Sequence, residues 1–517
     1  MSGLEGSAEL KGFARLGGPI GAALAVLVLG FAALALRPPI PFDETRYIEV
    51  ARELHTSQPL LLTLNSEPYS HKPPLAFWLA HLIAISGLPL EIALRALPAL
   101  STAACALAVE RIARRAGLRH AAWLFAAQLV PALYAQALLV DPLLCACVWW
   151  SLEAWTAERD GRATLFAALA FLAKGPVAAL HLVPFAWALA PLRTRAKTWR
   201  LLVVALVGAI PLAAWALESA HLGGDAFARE LLVEQTSGRM VESFAHRRSA
   251  LIYAGTIAVG ALPVLPALFL GLPKGLLRRL PLALGFIVLC FALISGKQPH
   301  YLLPIFPAIA LWASELLGRD ERGAQRLRIA AVAFSSLAFI ALAAAPWIAG
   351  AIVRTRMDSE LQAQLRDAPA LLMWLAGLAS LAVAGSSAWR RRARVQTACS
   401  LVLLAVGGLL LPAHFLVGRL VVPRDLARVL RAMPDTPLLG YHAYAFGLLN
   451  YLGQRDRVEL VRSPRELAQW TAAHPGGLVV LPADRAADAP GDLGDVLLRD
   501  HIRGHAFELR RVRVGAD

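Results

Sequence analysis

Residues 17–36 read GGPIGAALAVLVLGFAALAL, twenty residues without a charge, and they decide the class of fold. A membrane-spanning helix needs about 20 predominantly apolar residues. The 517-residue chain is 57% hydrophobic and 17% charged, with a mean hydropathy of +0.56, whereas soluble domains carry about 25% charged residues. This excludes an ordinary soluble enzyme, a disordered protein and a disulfide scaffold, and predicts a polytopic helical membrane protein. Further apolar runs lie at about 75–90, 93–110, 120–139, 142–157, 163–173, 176–190, 201–217, 249–271, 280–294, 300–317, 329–350, 370–388 and 397–418.

Basic residues assign the two sides of the membrane, because short cytoplasmic loops are enriched in Lys and Arg. Of the 51 basic residues, 23 fall on short segments at 11–15, 111–119, 159–162, 193–200, 274–279, 319–328 and 390–394. These segments share one side if the run at 75–90 lies flat and the other thirteen runs cross. The sequence therefore predicts thirteen spans, a cytoplasmic N-terminus and an outer C-terminus. The net charge of +15 is then an orientation signal, and no nucleic-acid partner is predicted.

Two domains are predicted. Residues 1–418 form the transmembrane domain, with outer loops at 37–92 and 218–248, and residues 419–517 form a small outer α/β domain. In the second domain, Ser463 and Glu466 form a capping-box pattern at the start of a helix over 463–473. The predicted strands are Leu438–Gly440, Val458–Val461, Leu478–Leu481 and Phe507–Val514. The fold class is thus an all-α polytopic membrane protein of about thirteen transmembrane helices with a C-terminal α/β domain.

Charged side chains concentrate at a few outer positions of the first loop. Asp43 follows the first span, where it either begins a surface helix as its N-cap or serves as a carboxylate at the membrane rim that acts as a base or binds a cation. Lys72 stands before two prolines at the start of the flat helix. A phosphate would suit that position, and the alternative is a Lys that snorkels at the interface.

The later outer loops carry a second group of candidates. Asp141 is the only acid between residues 110 and 153, and it is either an N-cap before a proline or a functional carboxylate. Lys174 precedes a Gly-Pro break on the outer side. It either belongs to a charged hairpin turn or faces the same outer cavity as the other candidates. Lys297, His300 and Tyr301 form a compact donor set in the loop at 295–301. Arg239 belongs to the loop at 218–248, whose alternative reading is a solvated amphipathic helix.

Two carboxylates and several cations at one membrane face are suited to a reaction on a lipid-attached phosphate. The cations would bind the phosphate, and a carboxylate would deprotonate the attacking group. The sequence contains no P-loop and no GxGxxG after a strand, so no water-soluble nucleotide is predicted. A transporter or lipid flippase is the alternative, since charges within membranes also mark transport paths, although no inverted repeat is visible. A structural or assembly subunit is the third reading.

Five stretches of sequence carry a resemblance to a known group of proteins. They are Asp-Glu-Thr-Arg-Tyr at 43–47, His-Lys-Pro-Pro-Leu at 71–75, Asp-Pro at 141–142, Lys-Gly at 174–175 and Gly-Lys-Gln-Pro-His-Tyr-Leu-Leu-Pro at 296–304. In order and spacing they resemble the bacterial aminoarabinose-transferase and protein-mannosyltransferase-like superfamily of integral membrane glycosyltransferases, which have the GT-C fold. The resemblance implies inverting transfer of a sugar from polyprenyl phosphate, such as undecaprenyl phosphate, to lipid A, a glycan or a protein. It also implies that transfer takes place at the periplasmic face of the bacterial inner membrane.

The resemblance also implies roles for single residues. Asp43 and Asp141 match the catalytic carboxylates, and Lys72, Arg239 and Tyr301 match contacts of the carrier phosphate. The cavity-lining candidates are Glu44, Arg46, Tyr69, Lys174, Lys297 and His300. The pattern departs from the aminoarabinose enzyme at His71, where that enzyme has a Glu that is implicated in divalent-metal binding. Because His can ligate zinc, His71 is a candidate metal ligand, and the sequence identifies no cofactor with certainty.

Overall fold

The structure is a computed structural model. It describes residues 18–54, 58–189, 195–232, 249–294, 296–319, 423–442, 447–488, 490, 493–502 and 505–514, with scattered helical residues between 325 and 407. The predicted spans at 329–350, 370–388 and 397–418 lie largely outside the described residues. The chain divides into two compact units. The helical unit comprises Met1–Leu36, Ser70–Ala76 and Arg95–Ala413, and the mixed unit comprises Arg37–Tyr69, Phe77–Leu94 and His414–Asp517.

Helices dominate the first 319 residues. They are α1 (Pro19–Leu36), α2 (Asp43–Glu53), α3 (Leu75–Ala84), α4 (Leu90–Arg115), α5 (Ala121–Ala126), α6 (Leu129–Tyr134), α7 (Asp141–Thr156), α8 (Asp160–Lys174), α9 (Val177–Leu189), α10 (Arg195–Arg229), α11 (Leu251–Gly260), α12 (Leu265–Leu268), α13 (Leu280–Leu293) and α14 (Phe306–Arg319). Short 3₁₀ helices cover Gly275–Leu277 and Pro299–Ile305, and a small hairpin pairs β1 (Thr63–Leu64) with β2 (Glu67–Pro68).

Within the described residues, five helices are long and apolar enough to cross a membrane. They are Pro19–Leu36, Leu90–Arg115, Lys197–Leu232, Gly275–Leu293 and Pro299–Arg319. Helix α3 has ten residues, about 15 Å at 1.5 Å per residue, which is half the thickness of a bilayer core. Its length therefore agrees with the predicted interfacial helix at 75–90. The chain is a multi-pass helical membrane protein, and the total of thirteen spans stays a prediction.

Two predicted spans are interrupted in the structure. The run at 120–139 forms α5 and α6, of six residues each, because the backbone at Gln128 is extended. The Gln128 amide donates hydrogen bonds to the Leu124 and Phe306 carbonyls, which supports the break. The run at 249–271 likewise forms α11 and α12, which end and begin on either side of Pro263, a residue that lacks the N–H a continuous helix needs.

Ion pairs to one buried carboxylate join helices α4 and α7 at the side predicted to be cytoplasmic. The Glu153 side chain of α7 is fully buried and accepts a hydrogen bond of 2.9 Å from Arg111 Nε and another from Arg115 on α4. Arg115 also donates to the Glu153 carbonyl at 2.8 Å. A buried carboxylate needs such partners. Two of the basic residues that predict the cytoplasmic side at 111–119, Arg111 and Arg115, therefore also connect α4 to α7.

The mixed unit contains a five-stranded sheet. Its strands are β3 (Leu438–Tyr441), β4 (Glu459–Val461), β5 (Leu478–Pro482), β6 (Leu493–Ile502) and β7 (His505–Val512), in the order β4-β3-β5-β7-β6. Strands β3, β4 and β5 are parallel, and β7 is antiparallel to β5 and β6. The helices of this region are α15 (Arg424–Ala432), α16 (Leu448–Gly453) and α17 (Pro464–Ala473), followed by a 3₁₀ turn at Ala483–Asp488.

Alternation along β5 builds a core on both faces of the sheet. Leu478 and Val480 join one apolar cluster, and Val479 and Leu481 join the other. The four predicted strands are present with ends shifted by up to two residues, and the capping box of Ser463 and Glu466 is formed. Strand β6 was not predicted, because its charged residues obscure the apolar pattern.

First-loop residues fold with this sheet inside the mixed unit. The Asn65 side chain exchanges two hydrogen bonds with the backbone of Val458, at 2.7 and 2.8 Å, and accepts a third from Asn450 Nδ2 at 3.0 Å. Phe42 packs against the sheet core. Compactness thus groups first-loop residues with the C-terminal region, while the predicted boundary at 418/419 stays a prediction.

Candidate active site

A charged cluster forms around Asp141 in the helical unit. Asp141 is the first residue of α7, and its carboxylate pairs with Lys174 Nζ at the C-terminus of α8. The two side chains are 3% and 11% exposed. His300 Nε2 lies 4.0 Å from the second carboxylate oxygen, and Lys174 Nζ lies 4.5 Å from the centre of the Tyr301 ring. Four predicted site residues from three distant segments therefore meet at one place.

The break after α8 positions this lysine. Gly175 has a φ of 75°, a left-handed value that favours glycine, and the helix ends there. A Cβ at Gly175 would approach Pro73 at 3.9 Å, so the Lys-Pro-Pro segment packs beside the break. Lys72 is close enough for its charge to act on Asp141. The cluster therefore combines one carboxylate with at least two ammonium groups.

Asp43 and Glu44 have different environments in the mixed unit. Glu44 is buried and accepts two hydrogen bonds from Arg37, at 2.6 and 2.8 Å, and one from the Ile40 N–H at 2.9 Å. Asp43 pairs with Arg46 one turn along α2, and its side chain is 59% exposed. It is the first residue of α2, and Phe42 occupies the N-cap position. Glu44 thus stabilises the beginning of the first loop through Arg37 and Ile40. Asp43 is the accessible carboxylate of the two.

The remaining candidates occupy separate positions. Tyr69 is buried, and its charge state acts on Arg46, so these two residues lie together. Lys297 is buried, and its Nζ donates 2.7 Å to the Ile294 carbonyl just beyond α13. Arg239 lies outside the described residues.

A metal set is not formed around His71 by the residues that the structure describes. In those ranges, no group of three or more His, Cys, Asp or Glu side chains has a spacing that could hold a metal ion. The role of His71 as a ligand stays a prediction.

Sequence reasoning missed His181 and Glu230. His181, on α9, is fully buried, stacks on Phe291 with ring centres 5.2 Å apart, and interacts electrostatically with Lys174 and Asp141. Glu230 accepts a hydrogen bond of 2.5 Å from Ser70 Oγ, two residues before Lys72. The available signal was the ionisable side chain of His181 inside an apolar run, which marks a functional candidate by default.

Many membrane helices, a buried charge cluster at helix ends and a small mixed sheet define a multi-pass membrane protein with a small α/β region. Comparisons with solved structures support this class. The chain is similar to the crystal structure of ArnT from Cupriavidus metallidurans in the apo state, with a TM-score of 0.78, 19% identity and coverage of 97% of this chain and 98% of that one. The same protein bound to undecaprenyl phosphate gives a TM-score of 0.73, 20% identity and coverage of 95% and 97%.

The sequence comparison agrees with the fold over a shorter region. An undecaprenyl phosphate-alpha-4-amino-4-deoxy-L-arabinose arabinosyl transferase of Erwinia tasmaniensis is 29% identical over 227 residues. The match spans about 40% of this chain and about 40% of that relative. No protein-family profile matches the chain. The predicted resemblance to the GT-C, aminoarabinose-transferase-like superfamily is confirmed at this level.

Proposed function

We propose that the chain is a glycosyltransferase that moves a sugar from a polyprenyl-phosphate carrier to an acceptor at the periplasmic face of the bacterial inner membrane. The carrying observation is the buried cluster of Asp141, Lys174, His300 and Tyr301, in a chain with the fold of a protein solved with undecaprenyl phosphate. Lipid A, another glycan or a protein are the acceptor classes, and the sugar is a pentose or a hexose.

The cations of the helical unit would hold the carrier phosphate. Asp141 compensates the charge of Lys174 in a buried pair, and Lys72 adds a further positive charge near it. The surplus suits a phosphate that gains negative charge as the sugar leaves. The Tyr301 ring lies beside Lys174 Nζ, the Tyr301 hydroxyl would be a second phosphate contact, and Arg239 is the predicted third contact. Asp141 would act by fixing Lys174 in place rather than by accepting a proton.

Asp43 would serve as the base. Its carboxylate is exposed and oriented by Arg46, so an acceptor hydroxyl can reach it. In the proposed step the carboxylate takes the hydroxyl proton and the acceptor oxygen bonds to the anomeric carbon. The bond from that carbon to the phosphate oxygen breaks, and polyprenyl phosphate leaves with the electron pair. A single displacement inverts the anomeric centre and needs no covalent enzyme intermediate.

The decisive experiment measures the release of polyprenyl phosphate from a labelled polyprenyl-phosphate sugar by the full-length protein in proteoliposomes. Asp43→Asn should lower acceptor-dependent release by about 100-fold or more, since a positioned base contributes about 10²–10⁴-fold. Asp484→Asn, an exposed aspartate of the same unit, is the matched control and should keep full activity. Full activity of Asp43→Asn would remove the proposed base.

The same assay separates transfer from transport. A transferase releases polyprenyl phosphate only when an acceptor is present. Movement of the intact labelled donor across the bilayer without release would instead indicate a flippase, the alternative reading of the sequence. Mass spectrometry of lipid A and surface glycans from a deletion strain and its parent would then identify the acceptor by the sugar mass that is lost.

A further inference from the structure

A basic pocket in the mixed unit lies apart from the residues discussed above. Its volume is about 550 Å³, within the range of about 300–1,000 Å³ that is typical of small-ligand sites. Arg424, Arg428 and Arg431 of α15 line one wall. The other walls include Pro38 and the residues at the end of α16. The pocket therefore combines several guanidinium groups with apolar surface.

The fold fixes the orientation of α15. Positions 424, 428 and 431 are spaced as i, i+4 and i+7, so they share one face of a helix. Leu426 and Leu430 are fully buried in the core of the sheet region. Because these leucines anchor the helix through its other face, the three arginines are presented to the pocket.

The charges of the pocket favour an anion. Arg431 is oriented by a hydrogen bond of 3.0 Å from its Nε to the Leu452 carbonyl. Arg428 pairs with Asp425 at 3.0 Å, with both side chains more than half exposed, and such surface pairs contribute little. The pocket is therefore lined by three guanidinium groups, and Asp425 compensates the charge of only one of them, in a weak surface pair. Guanidinium groups bind phosphate through paired N–H donors.

Apolar walls and chain position point to a lipid as the source of that phosphate. Pro38, Ala427 and Leu452 line the pocket beside the arginines. Pro38 also follows Leu36, the last residue of a candidate span, by only two residues along the chain. We propose that this pocket binds the phosphate group of an anionic membrane lipid, with the apolar wall against the glycerol and first acyl carbons. The proposal goes beyond the proposed function and does not depend on sugar transfer.

Lipid binding by the full-length protein in detergent tests the proposal. Native mass spectrometry would follow titration with phosphatidic acid, and phosphatidylcholine would serve as the zwitterionic comparison. The variant R424Q/R428Q leaves the structural hydrogen bond of Arg431 intact. The matched control R457Q/R465Q removes the same charge from exposed positions of the same unit. We expect at least a tenfold loss of affinity for phosphatidic acid in R424Q/R428Q, unchanged affinity in the control, and no change for phosphatidylcholine in either.

Two results would overturn the proposal. Equal affinity for phosphatidic acid in R424Q/R428Q and the control would show that the pocket is not the binding site. Full displacement of phosphatidic acid by an equimolar amount of inorganic phosphate would assign the pocket to a soluble anion instead of a lipid. Because the experiment measures lipid binding, its result can be interpreted whether or not the protein transfers a sugar.

Discussion

The buried pair of Asp141 and Lys174 gives the sharpest test of the charge cluster. Replacing Lys174 by Met leaves the Asp141 carboxylate, 3% exposed, without its ion-pair partner, with the His300 ring at 4.0 Å. Removing one partner of a buried pair costs roughly 3–5 kcal/mol. Asp141→Asn should cost about the same, reduced by the contact of Lys174 with the Tyr301 ring, which is worth about 1–2 kcal/mol.

The double variant D141N/K174M decides the physical cause. Replacing a whole buried ion pair by uncharged groups of similar size is often close to neutral. We therefore expect the double variant to lose less than the sum of the two single losses, with a coupling free energy of about 3 kcal/mol or more. The assay is SDS-induced unfolding in mixed micelles, followed by fluorescence of the chain's 13 tryptophans.

A partly exposed pair on the predicted cytoplasmic side provides the control. Arg200 and Asp160 form a two-pronged ion pair with side chains 33% and 41% exposed. Each single loss there should stay below about 1 kcal/mol. If losses at Asp141 and Lys174 add to within about 0.5 kcal/mol, the two charges do not stabilise each other, and the proposed positioning of Lys174 by Asp141 fails.

Three further predictions concern other parts of the molecule. Burial raises the pKa of Glu49 to about 8, against the opposing charge of Arg52. Because the folded chain keeps a proton that the unfolded chain releases above pH 4.5, the free energy of unfolding of the parent falls as pH rises toward 8. The stability of Glu49→Gln relative to the parent should therefore increase by about 2–3 kcal/mol between pH 5.5 and pH 7.5, measured by thermal unfolding at both pH values. Ser463→Ala removes the capping bond to Glu466 and should cost about 1 kcal/mol, seen as faster amide exchange in α17; unchanged exchange would contradict the role of the cap. Gly30→Ala places a Cβ in steric overlap with the Cβ of Ala99 and should cost about 1–3 kcal/mol in the SDS assay. Gly285→Ala, which meets no atom within 4 Å, should be tolerated.

The sequence predicted much of the fold, because a bilayer imposes one strong local rule. Apolar runs such as residues 17–36 must form helices, since no other single-segment structure satisfies the backbone inside lipid. Short apolar strands and the capping box at Ser463 are also local, and they appear close to their predicted positions. Helix breaks were less visible, because the break at Gln128 depends on a partner carbonyl 178 residues away.

The candidate residues could be selected from the sequence, but their partners could not. Asp43 and Glu44 are adjacent acids in the sequence, yet the Glu44 side chain is 7% exposed and pairs with Arg37, whereas the Asp43 side chain is 59% exposed and pairs with Arg46. The pairing of Asp141 with Lys174, and the approach of His300, join segments that are 33 and 159 residues apart. Hydropathy is a property of each residue type, so the apolar runs and the helices they form can be predicted from the sequence alone. The partner of a charge is set by how distant helices pack, and only the tertiary structure decided it.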